Sequence, residues 1–408
     1  MLKSFLRSPS LRVAVAFGLG GAAFAGGNLI LARALPAQQY GVLTLIIGLI
    51  SVSSQIAPLG IDLIVTRRGL RLGRHLRHAA LASSILSALV TAAIGAGVYD
   101  LPLTLALCVF VATAAAGMSQ SAAAHFQSQR QFKASVPLLQ ASNWVLVPIG
   151  AVTVVAGEMT ATLPSVLIAV AGLAVGIAGW VWVIKRDDGA DAATTVAGLW
   201  REALSLMTLL AAVSVFLNLE RLVLPATVGI EDLAVFGVLA ALVGSPYRVI
   251  QAAIGFTVVP RLRVDKSIAE RRQLLRQECL IISAVIVPGT MAIWFLAPPL
   301  AHWLLAGRYV LSASLMAATL ISGILKVAAA AGTATVTALA PESGVRLLSS
   351  ASWGCIALAV AASFTASRWG LVGVIYAVSL GWVLRCVIAA WIALPYLRPA
   401  ATRSVTAS

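Results

Sequence analysis

Three basic residues, Arg248, Lys326 and Arg385, lie inside long apolar segments. Each follows the start of its segment by 15 to 17 residues, which places it roughly 22–26 Å along a helix. Charged residues in spanning helices are costly and usually face a cavity or a partner. A layer of three cations with no acid at its level would suit an anion, above all phosphate. The alternative is that each cation snorkels to nearby lipid headgroups.

Three further charged residues are candidates for gating or coupling. Glu220 and Arg221 are adjacent and opposite in sign near the outer end of an apolar segment. Neighbouring residues on a helix point apart, so they fit either an interhelical contact or a gate. Asp62 ends another apolar segment shortly before Arg67–Arg68, which favours an interfacial salt link.

Uncharged amides inside the apolar segments give a weaker signal. They could line a cavity, although bonding between helices is the commoner role of such residues. The amides concerned are Asn28, Gln55, Gln120, Asn143, Asn218 and Gln251.

Motifs of nucleotide hydrolysis, zinc proteolysis and serine hydrolysis are missing from the sequence. The four cysteines occur singly, so we expect no disulfide and no metal. No external loop is large enough for the catalytic acids or bases of a membrane enzyme of glycan assembly. We therefore expect a protein that is not an enzyme and that has no cofactor.

The composition explains how such residues are positioned. Of 408 residues, 60% are apolar and only 11% are charged, whereas a soluble domain has about a quarter charged. A spanning helix needs about 20 mostly apolar residues. Twelve segments meet this requirement, near 12–32, 41–62, 79–98, 101–124, 136–157, 162–184, 203–225, 232–258, 279–301, 309–338, 347–366 and 370–394. The polar stretch 261–278 predicts a short amphipathic helix at the membrane surface.

The basic residues are distributed unevenly between the two sides of these spans. With a cytoplasmic N-terminus, 22 of the 29 Lys and Arg lie in inside segments and only three in outside loops. This asymmetry predicts that both termini are cytoplasmic. The net charge of +15 therefore records orientation rather than binding to nucleic acid.

A short repeat indicates duplication. The segment 40–48 reads YGVLTLIIG and the segment 236–244 reads FGVLAALVG, each opening an even-numbered span. We predict an all-α membrane protein of two six-helix lobes, residues 1–190 and 191–408. Because six is even, the lobes would be parallel pseudo-repeats around a central cavity.

Two regions of the sequence resemble polysaccharide-exporting flippases. In the first region, an Arg and a Leu precede a Tyr-Gly pair, and the second span closes with Leu-Gly followed by an acidic and then a basic residue. The residues concerned are Arg33, Leu35, Tyr40, Gly41, Leu59, Gly60, Asp62 and Arg67. The second, 220–262, resembles helices seven and eight of that family, including Pro260 before a basic run. Where that family commonly has Asp followed by an apolar residue, this chain has Glu220 and Arg221. Arg33 joins the gating or coupling candidates through this resemblance.

The resemblance implies the multidrug/oligosaccharidyl-lipid/polysaccharide (MOP) superfamily, with a V-shaped cavity like that of MATE transporters. It implies a lipid-linked oligosaccharide, carried on undecaprenyl pyrophosphate, that moves from the inner to the outer leaflet of a bacterial inner membrane. Coupling to a proton or sodium gradient or to the membrane potential is expected. So are the lipid bilayer and other glycan-assembly membrane proteins as partners. A cation layer toward the cytoplasmic side would capture the pyrophosphate.

Other classes of protein fit the sequence less well. A multidrug antiporter for cationic drugs should have an acidic cavity, whereas this one would be basic. A peptidoglycan lipid-precursor flippase would need the same basic cavity and stays open. A porter of the major facilitator type would require a Gly-x-x-x-Asp-Arg motif, but Gly60 and Asp62 are too close.

The charge asymmetry predicts the sidedness of two loops. In a cysteine-free background, Asp100→Cys should react with an impermeant maleimide added outside, and Arg272→Cys should react only after permeabilisation. The reason is that the loop with Asp100 is poor in basic residues, whereas the segment around Arg272 is rich in them. Labelling of both positions from one side would refute the twelve-span topology.

Overall fold

The computed structural model describes residues 9–186, 196–263 and 267–397, and within these ranges every regular element is a helix. The helices are α1 (Pro9–Ala34), α2 (Ala37–Ile56), α3 (Ile61–Arg68), α4 (Arg74–Val98), α5 (Leu103–Ser128), α6 (Phe132–Trp144), α7 (Leu146–Ala156), α8 (Thr162–Lys185), α9 (Val196–Leu217), α10 (Leu219–Thr227), α11 (Ile230–Leu239), α12 (Ser245–Arg263), α13 (Ile268–Leu304), α14 (Ala313–Leu339), α15 (Glu342–Ala366) and α16 (Gly370–Ala393). A π-helical turn, Ala240–Gly244, joins α11 to α12.

The described residues contain the predicted number of spans. Ten helical stretches are long and apolar enough to cross a membrane, and the bent pair α9–α10 adds one more. One of the ten, Glu342–Tyr396, has 55 residues and would be about 80 Å long as a single helix. It is divided into α15 and α16 at Gly370, where φ is +65°. The described part of the chain therefore holds twelve candidate spans, and the predicted all-α membrane fold is confirmed.

These helices form two compact units. Unit 1 runs to Ala241 and includes Leu304–Arg308; unit 2 comprises Leu242–Trp303 and the residues from Tyr309 onward. The predicted lobes 1–190 and 191–408 rest on the sequence repeat and stay a prediction. Several residues counted in the charge distribution lie outside the described ranges, namely Lys3, Arg7, Asp187, Asp188, Asp191, Asp265, Lys266, Arg398 and Arg403.

Large apolar side chains cover the outside of several helices. On α13, Phe295 is 67% exposed and Leu280 is 61% exposed, and on α4 Leu89 is 59% exposed. Apolar patches of this extent are not compatible with water. Their position on helices of spanning length indicates that they face lipid.

The second span ends earlier than predicted. Helix α2 stops at Ile56, and Asp62 lies in the separate short helix α3 rather than at the end of a span. The break follows Pro58 and includes Leu59 and Gly60, whose φ values are +48° and +79°. A Cβ at Gly60 would lie 2.3 Å from the carbonyl oxygen of Ala203 on α9. Only glycine combines this backbone conformation with such a close approach.

The predicted surface helix at 261–278 is wrong. From Ile268 onward this stretch belongs to α13, one continuous helix of 37 residues. A reciprocal capping box starts it: Ser267 N–H donates to Glu270 Oε2 at 2.8 Å, and Glu270 N–H donates to Ser267 Oγ at 3.3 Å. No glycine or proline follows until Pro288, so nothing in the sequence ends the helix where it would enter the membrane.

In unit 1, helix α2, which carries the first copy of the repeat, packs against α11, which carries the beginning of the second copy. Gly41 and Gly237 allow the contact between α2 and α11, because a Cβ at Gly41 would lie 2.1 Å from Ile230 O and a Cβ at Gly237 would lie 2.6 Å from Thr44 Oγ1. Small residues at helix interfaces let backbones approach closely in a membrane. The glycines that the repeat shares therefore set the distance between these two helices.

We predict that Gly41→Val or Gly237→Val destabilises unit 1. The added atoms would overlap backbone and side-chain atoms, and overpacking of this kind costs about 1–3 kcal/mol. Melting of the purified protein in detergent should occur at lower temperature. The control is Gly97→Ala on α4, where no atom lies within 4 Å of the new Cβ. Equal melting temperatures for Gly41→Val and Gly97→Ala would contradict the proposed close packing.

Candidate functional site

Unit 1 contains a polar cavity of about 270 Å³. Residues 51, 54 and 55 of α2 share one face of the helix because they are three and four positions apart. The cavity's polar lining consists of hydroxyl and amide groups: Ser51, Ser54 and Gln55 from α2, Ser119 and Gln120 from α5, and Ser142 and Asn143 from α6. No charged residue lines this cavity, which therefore suits water or a neutral polar group.

The predicted amides divide into three groups. Gln55 and Asn143 line the cavity, together with Gln120. Asn28 and Asn218 are buried and serve their own helices, because their Nδ2 atoms donate to Phe24 O at 2.8 Å and Ser214 O at 3.0 Å. Gln251 lies half-buried on α12, in unit 2.

Sequence reasoning missed the serines that complete this lining. Serine is common in apolar helices, where its hydroxyl can donate to a carbonyl one turn earlier. Ser51 does so, donating to Ile47 O at 2.6 Å. The available signal was the helical spacing of Ser51, Ser54 and Gln55.

Glu220 and Arg221 lie at a bend in the seventh span. Helices α9 and α10 meet at 51° around Asn218, and both charged residues are almost fully buried, with exposures of 0% and 1%. Arg221 Nη1 donates to Asn218 Oδ1 at 3.4 Å, and its guanidinium lies 5.8 Å from the centre of the Phe24 ring. The alkyl part of Arg221 fills the space left by Gly48, where a Cβ would approach it to 3.1 Å. This packing holds a buried arginine inside unit 1.

Asp62 does not form the predicted salt link. Arg67 and Arg68 instead pair with Glu202 of α9, Arg67 Nη1 lying 3.5 Å from Glu202 Oε1. The Asp62 carboxylate is buried, and its Oδ1 has no hydrogen-bond partner among the described residues. Burial raises the pKa of Asp62 to about 6, because the effect of desolvation is larger than that of the backbone hydrogen bonds, which lower the pKa. The short helix α3, which lies outside the candidate spans, thus holds a carboxyl group poised to bind a proton.

Arg33 lies at the corner between the first two spans. Its Nη1 donates to Leu304 O at 3.4 Å, and Arg308 Nη1 donates to Arg33 O at 3.1 Å and to Leu35 O at 2.8 Å. Arg308, which sequence reasoning did not select, therefore closes a reciprocal contact within unit 1. A gating role for Arg33 stays a prediction.

The three predicted phosphate-binding cations lie on three helices of unit 2. Arg248 is on α12, Lys326 is on α14 and Arg385 is on α16. Helix α14 packs against both α12 and α16. Two contacts fix their relative heights, one on each side of α14.

The first contact joins α12 to α14, where the ring of Tyr247 lies over Gly323, so that a Cβ there would be 2.5 Å from the ring. The second joins α16 to α14, where Cys386 Sγ donates to Leu325 O at 3.7 Å. Each contact involves residues within three positions of the cations. One helical turn is about 5.4 Å, so the three cations share one level to within about a turn.

Arg385 is the most deeply buried of the three cations. It is only 2% exposed, and its Nε donates to Ser352 Oγ of α15 at 3.0 Å. Its guanidinium lies 5.4 Å from the centre of the Trp382 ring, and its Nη2 has no hydrogen-bond partner among the described residues. Helices α12, α14 and α16 contain no Asp or Glu. A buried guanidinium with an unused donor is costly unless a ligand compensates it.

The chain resembles known proteins in its structure rather than in its sequence. No protein-family profile and no curated protein sequence matches the chain. An inward-facing multidrug resistance MATE family transporter of the MOP superfamily matches with a TM-score of 0.65 and 11% identity, over 97% of this chain and 100% of the other. The lipid II flippase MurJ in an inward closed conformation matches with a TM-score of 0.67 and 13% identity, over 95% and 91%.

The chain has the fold of the MOP-superfamily transporters. A third similar structure is a MOP superfamily transporter from Pyrococcus furiosus, described as having a binding pocket of reverse polarity that suggests a different function. It has a TM-score of 0.54 and 11% identity, over 96% of this chain and 97% of the other. At these identities the likeness concerns the fold, and the multi-pass, MATE-like architecture predicted from the sequence is confirmed.

Asp62 generates a prediction about pH. Its folded-state pKa near 6 exceeds the ordinary value near 4, so the folded state favours the protonated acid. Stability from this group is fully present below about pH 4 and is lost as the pH rises through 6, by up to about 3 kcal/mol. Melting temperatures of the wild type and Asp62→Asn, measured between pH 4 and 8, should converge at the acid end. The variant should be the more stable of the two at pH 8. Parallel pH curves would contradict this account of the carboxyl group.

Proposed function

We propose that this protein is a flippase that moves a polyprenyl-pyrophosphate-linked oligosaccharide from the cytoplasmic to the outer leaflet of a bacterial inner membrane. The observation that carries the proposal is Arg385, a buried guanidinium with an unused donor and no carboxylate partner among the described residues. A pyrophosphate supplies the acceptor oxygens that such a donor lacks. Lys326 and Arg248, at the same level, would add positive charge.

The level of these cations supports capture from the cytoplasmic side. Arg385 is 15 residues beyond the start of α16, and the charge asymmetry puts that start outside. The cations would then lie in the inner half of the bilayer. Lipid-linked oligosaccharides are assembled at the cytoplasmic leaflet, where the resemblance implies that their pyrophosphate must first be bound.

The fold supports movement of a ligand by alternating access. The similar structures include a multidrug transporter and a lipid II flippase. A transporter of cationic drugs would gain nothing from three basic residues in helices without acids. A peptidoglycan lipid-precursor flippase remains the second candidate, because its substrate would require the same phosphate-binding cations.

The energy source follows from the charge of the substrate. A membrane potential that is negative inside favours outward movement of an anion, by about 2.3 kcal/mol per charge per 100 mV. Asp62 provides a titratable group for coupling to a proton gradient as well. Other glycan-assembly proteins of the membrane would act on the exported lipid.

We predict that Arg385→Ala slows flipping of a fluorescent polyprenyl-pyrophosphate disaccharide in proteoliposomes by about 10- to 100-fold. A hydrogen bond to a charged group contributes about 1.5–3 kcal/mol, and 1.4 kcal/mol corresponds to a tenfold change. Arg385→Lys should keep part of the activity because it keeps the charge. The control is Arg368→Ala, which removes an exposed arginine that stacks on Trp369 at 4.0 Å.

Three measurements in the same vesicles separate the candidate functions. An inside-negative potential should accelerate the reaction for an anionic lipid and oppose it for a cationic dye. Replacing the disaccharide by a muramyl-pentapeptide headgroup identifies the peptidoglycan precursor as the substrate if it moves faster. Unchanged flipping in Arg385→Ala would rule out the phosphate-binding role.

A further inference from the structure

A second cavity, of about 670 Å³, lies in unit 1 between α1, the loop that leads into α6, α6 itself and the end of α8. Three cations line it, namely Arg130, Lys133 and Arg186, together with the aromatic side chains of Trp144 and Trp182. No acid is among its lining residues. The rest of the lining is mainly apolar. A cavity with positive charge at one end and aromatic side chains along its wall is suited to a ligand that has an anionic group and an apolar part.

We propose that this cavity binds an anionic phospholipid of the cytoplasmic leaflet, with its phosphate on the three cations and an acyl chain along α6. Basic pockets between spanning helices on the cytoplasmic side are suited to anionic lipid headgroups. The proposal concerns the native membrane rather than the transported substrate, and it holds whether or not the protein is a flippase.

The dimensions of the cavity suit a lipid. Lys133 lies in the first turn of α6, and Trp144 is its last residue, eleven positions later. This separation is about 16 Å along the helix, close to half of the roughly 30 Å hydrocarbon core. The cavity therefore extends from the predicted headgroup level into the inner leaflet. A soluble phosphate would leave this apolar part of the cavity unoccupied.

Arg186 is held in place above the cavity. Its guanidinium lies 5.3 Å from the centre of the Trp182 ring, and its Nη1 donates to Gln131 Oε1. Arginine stacked on an aromatic ring keeps its remaining donors directed outward. These donors are available for a phosphate at the mouth of the cavity.

The hydrogen-bond chain behind Arg186 favours release of its contact with Gln131. The chain has four contacts. Leu72 N–H donates to His125 Nδ1, His125 Nε2 lies against Gln129 Nε2, and Gln131 Nε2 donates to Gln129 Oε1, each at 3.0 Å. Arg186 Nη1 donates to Gln131 Oε1. The groups at the two ends of the chain, Leu72 N–H and the Arg186 guanidinium, are both donors. Between them, the neutral imidazole of His125 and the amides of Gln129 and Gln131 each supply one donor and one acceptor. One contact in the chain must therefore join two donors.

An anion would remove this conflict. If the phosphate accepts from Arg186, both glutamine amides can reverse. His125 Nε2–H then donates to Gln129, and Gln129 donates to Gln131. Each of the three remaining contacts now pairs a donor with an acceptor. Binding of the lipid phosphate thus compensates for the contact that Arg186 gives up.

The test measures lipid affinity with the purified full-length protein by native mass spectrometry. Phosphatidylglycerol is titrated into wild type, Lys133→Gln, Arg186→Gln and the double variant. Each lost cation should weaken binding roughly fivefold, as expected for one basic residue near anionic lipid. Lys185→Gln is the matched control, because Lys185 is the exposed neighbour of Arg186 and does not line the cavity. It should change affinity less than twofold.

Further arms of the experiment identify the ligand. Phosphatidylcholine and glycerol phosphate should bind at least tenfold more weakly than phosphatidylglycerol. Trp144→Ala, which retains every cation, should also weaken phosphatidylglycerol binding. Equal losses in Lys185→Gln and Arg186→Gln would overturn the site, as would equal binding of the two phospholipids. If the double variant fails to fold, the exposed single variant Lys133→Gln decides the question in the same way.

Discussion

In a hydrocarbon layer each backbone amide must find its hydrogen-bond partner within the protein, because no water is present to supply one. This constraint makes every described span a helix. It also makes each interruption of a helix a place where other groups must satisfy the freed backbone atoms. Lipid outside the helices removes the usual hydrophobic driving force for packing them together. Close contact through small residues, as at Gly41 and Gly237, then takes over that role.

The interruptions coincide with most of the buried charges. Asp62 follows the break after Pro58, and Glu220 and Arg221 follow the bend at Asn218. Arg248 lies four residues beyond the π-helical turn Ala240–Gly244. Turns of this kind are frequent at functional sites. An irregular backbone provides dipoles that a buried charge can use, and it provides a point about which a span can bend.

Arg385 differs because it lies within a regular helix. Its partners are Ser352 and the Trp382 ring, and neither offers a negative charge. The cost of this arrangement must be met by a ligand or by the rest of the fold. The inner cavity of unit 1 has the same character, since its three cations share their space with aromatic rings and no lining acid. We propose an anion as the ligand of both sites, one within the spans and one at the predicted inner surface.

The sequence by itself determined the class of fold, because 20-residue apolar segments have few alternatives to spanning helices. It also located Arg248, Lys326 and Arg385 at one level, since helical rise depends only on residue number. The sequence did not show that the polar segment Ile268–Glu278 continues into the next spanning helix. Helix propensity and capping are properties of the chain and do not depend on where the membrane begins. The sequence paired Asp62 with Arg67 and Arg68 by proximity along the chain, whereas the structure gives those arginines to Glu202, 134 residues from Arg68. Such pairings, like the cluster of Arg130, Lys133 and Arg186, depend on which helices become neighbours, and only tertiary packing decides that.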